Sequence, residues 1–175
     1  MEEDLKLMRR FKNGDEESFE KLVVKYRKNA ICFCESFIHD YHIAEDIAQE
    51  GFAYIYVYKE RYNEKYAFKT YLFTILRNKS IDYIRKNRSI PLEKIPDNIS
   101  PYETEKVVLQ KEERNLIKEK INKLNDDYRT VIYLIDFQDF SYKDAAKIMG
   151  KNLIQIKVLI YRARQKLKLL IKEEG

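Results

Sequence analysis

Residues 139–168 read DFSYKDAAKIMGKNLIQIKVLIYRARQKLK, and their pattern decides the fold. Ser141 is placed to cap a helix, with Asp144 three residues on as the return partner of a capping box. Ala145 and Ala146 are small enough for a second helix to cross closely. Gly150 can end that helix in the left-handed conformation without a Cβ penalty. A long helix free of Pro and Gly follows, to about residue 172. On it Ile156, Ile160, Ala163 and Leu167 recur at offsets of four, three and four, the spacing of a buried stripe. Lys151, Gln155, Val158, Arg162 and Gln165 lie opposite, while Lys157, Tyr161, Arg164 and Lys168 line a flank. A buried stripe backed by basic and amide side chains suits a helix laid in the major groove of DNA. Arg and Lys bind phosphates, Gln and Arg read base edges, and Val158 can either meet a thymine methyl group or lie on a face partly covered by another protein. A basic surface helix inside a bundle is the plainer alternative. The caps, the alanine pair, the glycine and the wheel together favour DNA.

Working outward, the same helical grammar covers the chain. Among 175 residues, 45% are hydrophobic and 36% charged, with only 4 Gly and 3 Pro, which favours an all-α protein. Upstream of the motif, helices are expected over about 104–123 and 126–137. In the first half they are expected over 3–12, from an Asp15 cap to about His39–Tyr41, over 42–62 and over 68–88. All three prolines (Pro91, Pro96, Pro101) fall within eleven residues, where they forbid a helix and force extended backbone. The expected fold class is therefore all-α: two small helical domains, 1–88 and 104–175, joined by a flexible linker at 89–103.

Charge and composition exclude several functions. Residues 1–20 carry seven acids against four bases, whereas 151–168 carry six bases and no acid, so the C-terminal segment suits a polyanion. No apolar run approaches a membrane span and no signal-like leader precedes residue 20, which points to the cytoplasm. Cys32, Cys34, His39 and His42 lie within eleven residues, but their spacing fits no common zinc pattern. The cysteines read as reduced, half-buried core residues and the histidines as a helix end, so no metal or other cofactor is expected. With no Gly-rich phosphate loop, no triad pattern and no paired carboxylates in an apolar setting, neither an enzyme nor a small-molecule substrate is expected.

The residues resemble a known family. Phe140 to Gly150, Lys157 and Tyr161 to Leu167, with Leu124 to Ile132 upstream, are similar to the promoter-binding C-terminal domain of extracytoplasmic-function sigma factors. The first half resembles the sigma-2 domain in the expected order. Asp15 to Val23 with Lys25-Tyr26-Arg27 is similar to its opening, Ala44 to Phe52 to its polymerase-binding segment, and Phe68 to Arg85 to the segment that handles the −10 element.

The resemblance implies a sigma-70-type subunit that binds core RNA polymerase and directs promoter recognition and initiation, with no catalysis of its own. It implies that Asp46, Gln49 and Glu50, which share one helix face, dock on the polymerase. By residue type alone, that acid–amide–acid stripe would be read as a solvated face. It implies that the loop at about 62–67 and the start of the following helix hold −10 DNA, through Tyr66, Tyr71, Asn78, Arg85 and Arg88. Basic side chains near aromatic ones suit an unstacked single strand. It implies that Gln155, Lys157, Val158, Arg162 and Gln165 meet the −35 element, and it admits an anti-sigma factor as a further partner. The chain departs from the family pattern at Ile154-Gln155 and Val158-Leu159 in the recognition helix, and at Tyr71, where tryptophan is common. A stand-alone helix-turn-helix regulator is the alternative. It would need a dimer to read a two-fold site, and the stretch 104–123 lacks a sustained heptad.

Overall fold

The computed structural model describes residues 2–87, 117 and 119–172, and among these every regular element is helical. They fall into two compact units. The first contains α1 (Glu2–Lys12), α2 (Glu16–Ile38), α3 (Tyr41–Val57), a 3-10 turn (Lys59–Arg61) and α4 (Phe68–Asn87). The second contains α5 (Asp126–Ile132), a π-helical turn (Tyr133–Phe137), α6 (Tyr142–Met149) and α7 (Leu153–Lys172). The expected linker at 89–103, most of the expected helix at 104–123, and Arg88 lie outside the described residues.

In the first unit α2 is the central helix, packed against α1, α3 and α4. Its N-terminus is fixed as the sequence suggests: Asp15 accepts from the Ser18 N–H and hydroxyl at 3.3 and 2.7 Å. Its C-terminus closes at His39, whose φ of 58° lets its N–H donate back to the Glu35 carbonyl. Asp40 then caps α3. The core is aromatic. Phe11 stacks on Phe19 with ring centroids 4.5 Å apart, Phe33 meets Phe73 at 4.9 Å, and Phe68 lies 5.6 Å from Tyr26. α1 is tied in by a buried acid, Asp4, which accepts from the Tyr26 hydroxyl and from Lys25 Nζ at 2.6 Å. Burial, reinforced by that hydrogen bond, raises the Tyr26 phenol well above its ordinary value.

α3 is shorter than the periodicity suggests. It stops at Val57, and the chain narrows to a 3-10 turn before Tyr62. Tyr58, the C-cap of α3, donates its N–H to the Tyr54 carbonyl and leaves its side chain 43% exposed.

The cysteines also divide. Cys34 is buried and its thiol is pushed up to about 12 by desolvation, whereas Cys32 is exposed rather than half-buried. The thiolate is the reactive form, so one thiol per native chain is expected to react rapidly with a disulfide reagent at pH 8. The second is expected only on unfolding. Two fast equivalents in the native protein would contradict this packing.

In the second unit α5 packs against α7, and residues 119–122 contribute a short helical stretch. Ile121, Leu124, Val131, Ile132 and Leu134 are buried, as are Ile156, Ile160 and Ala163 of the expected stripe; Leu167 is only partly covered. Arg129 is buried yet satisfied, donating to the Leu124 carbonyl at 3.3 Å and to Asp126 at 2.8 Å. Desolvation pulls its pKa below the usual guanidinium value. The single helix expected over 126–137 divides, its last turn widening to a π-helical register in which the Gln138 N–H reaches the Tyr133 carbonyl. Asp136, in that turn, clasps Arg164 of α7 at 2.5 and 3.2 Å.

Candidate polymerase and nucleic-acid interfaces

Three surfaces gather the residues singled out by sequence. The first is the outer face of α3. Ala44, Ile47, Ala48, Gly51, Phe52 and Ile55 are buried on one side of this helix. Asp46, Gln49 and Glu50 are exposed on the other. They are not equivalent. Glu50 is paired with Lys79 of α4 at 3.1 Å, while Asp46 has no ion-pair partner among the described residues. Gln49 edges a shallow groove between α2 and α3, floored by Val23, Ile31, Ala48 and Phe52 and crossed by the Arg27–Glu45 ion pair at 2.7 Å. This surface can receive a cationic, partly apolar partner.

The second surface surrounds the loop between the 3-10 turn and α4. The Tyr62 hydroxyl donates to the Tyr66 carbonyl at 2.7 Å, and Asn63 Oδ1 accepts from the Lys65 N–H at 3.0 Å. Arg9 of α1 forks onto Glu64 at 2.8 and 2.9 Å, and these bonds hold the Glu64 carboxyl below the usual carboxylate range. Desolvation pushes the buried Tyr62 phenol up to about 12. The loop is thus fastened at both ends while the Tyr66 ring stays 42% exposed. Tyr71 is half-buried, 5.3 Å from the Tyr62 ring. Asn78 and Arg85 lie exposed further along α4, on the same arc as Tyr71. Arg85 has only a loose contact with Asp82, at 3.9 Å.

Sequence reasoning missed part of this surface. Arg61 donates to the Tyr54 hydroxyl at 3.0 Å and lies 4.3 Å from the centre of the Tyr58 ring, while Tyr54 and Tyr58 are 4.9 Å apart. Arg61 is also within electrostatic reach of Tyr71. Tyr54 and Tyr58 stand four residues apart in the sequence, and Arg61 lies in the 3-10 turn that follows α3. Together these groups form a wall of rings and cations of the kind on which unpaired bases stack.

The third surface is α7. Ser141 caps α6 as expected, its hydroxyl accepting from the Asp144 N–H at 3.1 Å, and the same hydroxyl donates to the Asp144 carboxylate at 2.5 Å. Gly150 ends α6 with φ of 63°. A second capping box opens α7, because the Asn152 N–H donates to Gln155 Oε1 at 2.9 Å and the Gln155 N–H to Asn152 Oδ1 at 2.8 Å. Gln155 is therefore partly committed to holding the helix start. Replacing Asn152 by Ala is expected to cost the second unit about 1 kcal/mol, read as a lower urea midpoint. An unchanged midpoint would mean that the cap contributes nothing.

Of the six bases over 151–168, two are tied back, Lys151 to Asp127 at 3.0 Å and Arg164 to Asp136. Lys157, Arg162 and Gln165 are exposed, and no acid among the described residues pairs with Lys157 or Arg162. Val158 is 43% exposed beside them.

The sequence matches two family descriptions: sigma-70 region 2 over residues 22–90, and sigma-70 region 4 over residues 114–167. The ECF RNA polymerase sigma factor SigW of Bacillus subtilis is 30% identical, over 93% of this chain and 94% of the relative. The RNA polymerase sigma-H factor of Pseudomonas aeruginosa is 28% identical, over 94% and 91%. Among solved structures, the sigma factor RpoE from Bartonella quintana, in complex with the anti-sigma factor NepR, is 29% identical with a TM-score of 0.74, covering 89% of this chain and 98% of that one. CnrH, in complex with the cytosolic domain of CnrY, shares the fold at a TM-score of 0.77 and 22% identity, each chain covered to 99%.

Proposed function

This chain belongs to the extracytoplasmic-function sigma factors, the sigma-70-family subunits that bind core RNA polymerase and direct promoter recognition, and from that premise we propose how its surfaces divide the work. Asp46 and Gln49 on α3 make the principal contact with core polymerase, with Glu50 a secondary member because Lys79 already neutralises it. Tyr66, Tyr71, Asn78 and Arg85 hold the unpaired strand of the −10 element, and Arg88 extends the same run of bases. Arg61 with Tyr54 and Tyr58 continues that surface. Gln155, Lys157, Val158, Arg162 and Gln165 of α7 face the −35 duplex. The chain carries no catalytic step of its own and works in the cytoplasm. Residues 1–88 form the sigma-2 unit, 104–175 the sigma-4 unit, and 89–103 the tether between them. Tethering makes the second promoter contact effectively intramolecular.

The observation that carries this reading is the order of surfaces along one chain. An exposed carboxylate–amide face precedes an aromatic–cationic surface, which precedes a capped helix-turn-helix whose last helix has basic groups unpaired. An anti-sigma factor is a further partner, supported by the relative captured with one. The groove beside Gln49 is a suitable place for it.

The test is binding of core polymerase, with and without the chain, to a fork-junction DNA whose −10 strand is unpaired. The expected result is tight binding only with both proteins, weakened when Tyr66 and Tyr71 are both replaced by Ala. Tight binding by this chain alone to duplex DNA would favour a stand-alone regulator.

A further inference from the structure

We propose that Ile154 and Val158 read thymine methyl groups in the major groove of the upstream promoter duplex, and that this apolar readout governs the specificity of the first turns of α7. The inference rests on the promoter-binding reading above and names the chemistry of one part of it.

Ile154 is 74% exposed and Val158 43%, and together they make an apolar patch on the side of α7 away from its buried stripe. They stand four residues apart, so they lie one above the other on one side, about 6 Å apart along the axis. That separation is about two base-pair steps of a duplex rising 3.4 Å per step. Both fall in the N-terminal turns of α7, the part of a recognition helix that meets base edges.

The polar reader in this stretch is restrained. Bidentate recognition of adenine by glutamine uses both its carbonyl and its amide. Here the Gln155 carbonyl already accepts from the Asn152 N–H at 2.9 Å and helps hold the helix start. Apart from the cation Lys157, the exposed side chains left to meet bases in these turns are aliphatic, and the apolar feature of the major groove is the thymine C5-methyl.

Charge complementarity identifies the occupant as DNA. No acid lies between residues 151 and 168, and Lys157 and Arg162 flank the two aliphatics without an acidic partner among the described residues. The same face forms a shallow groove closed on one side by Tyr128 of α5. A basic rim around an apolar centre fits a polyanion that carries methyl groups on its bases.

The test begins by selecting promoter sequences with the full chain bound to core polymerase. Each thymine of the selected upstream element is then replaced singly by deoxyuridine, which removes only the methyl group, and holoenzyme binding is measured. One or two positions are expected to lose about fourfold in affinity, the worth of one buried methyl. With I154A or V158A holoenzyme, the loss at one of those positions should vanish. Alanine favours the helix at both exposed sites, so both variants should fold. Lys157→Ala, by contrast, should weaken every duplex alike.

A selected element with no uracil-sensitive thymine would overturn the inference while leaving the promoter reading intact. So would uracil penalties that persist in both alanine variants, which would mean that this apolar face serves another partner, such as a protein. Failure of the holoenzyme to select any upstream element would overturn the promoter reading, and this inference with it.

Discussion

Replacing Asp46 by Lys is expected to weaken binding to core polymerase at least about thirtyfold, the equivalent of roughly 2 kcal/mol, without changing the thermal midpoint. The size follows from three features of α3. Asp46 stands opposite the helix's buried stripe, so the substitution disturbs no core contact. It has no ion-pair partner among the described residues, so its charge remains available to a cationic surface. Reversing the charge turns that attraction into repulsion. Glu50→Gln is expected to cost far less, at most about 1 kcal/mol, because the carboxylate is 67% exposed and already shared with Lys79. Asp46→Asn set beside Glu50→Gln, each removing one charge and measured by competition for core polymerase, separates a specific docking face from a general acidic attraction. Equal losses in the two would contradict the ranking.

A large effect on stability is expected at Gly51. A Cβ there would lie 2.5 Å from Leu76 Cδ2, and Leu76 is fully buried between α3 and α4. Gly51→Val should therefore destabilise the first unit by about 2–3 kcal/mol through overpacking. For a unit of this size, 2 kcal/mol is roughly 8–16 °C in the melting midpoint. Gly51→Ala should cost less, since a helix interior gains about 1 kcal/mol when Gly becomes Ala. Combining Gly51→Ala with Leu76→Ala should cost less than the sum of the two, because the second change removes the atom that the first one strikes. Additive losses would place the strain elsewhere. Since Gly51 lies on the side of α3 opposite Asp46, the variant also shows what loss of the scaffold does to docking, apart from loss of the docking charge.

Much of this was legible in the sequence where one local rule decided the outcome. Asp15, Ser141 and Gly150 act as written, because a cap or a left-handed glycine needs only its immediate neighbours. The stripe Ile156, Ile160, Ala163 is buried because a long helix without breakers holds its period. Legibility failed where local and tertiary preferences compete. The run through Tyr54 and Tyr58 has helical spacing, yet α3 ends at Val57, with Tyr54 half-buried inside it and Tyr58 exposed just after it, both beside Arg61. The stretch 126–137 is apolar enough for one helix, but its last turn widens to a π register beside the Asp136–Arg164 clasp. Gln155 looked like a base reader by residue type and is also a cap, a double role visible only as a pair of hydrogen bonds. The partners of Glu50 and Lys151 come from other helices, so no spacing rule could supply them. What each exposed face binds is not written in helix periodicity at all. It enters through the family to which the chain belongs.

As a sigma factor, this chain is expected to give core polymerase its promoter specificity through two linked contacts. The most direct measurement is transcription in vitro from a genomic library by bacterial core polymerase, with and without the chain, followed by mapping of the new 5′ ends. Discrete start sites are expected that appear only with the chain, share paired −10 and −35 elements, and disappear with Asp46→Lys. Start sites unchanged by the chain, with no competition against another sigma factor for core polymerase, would contradict it.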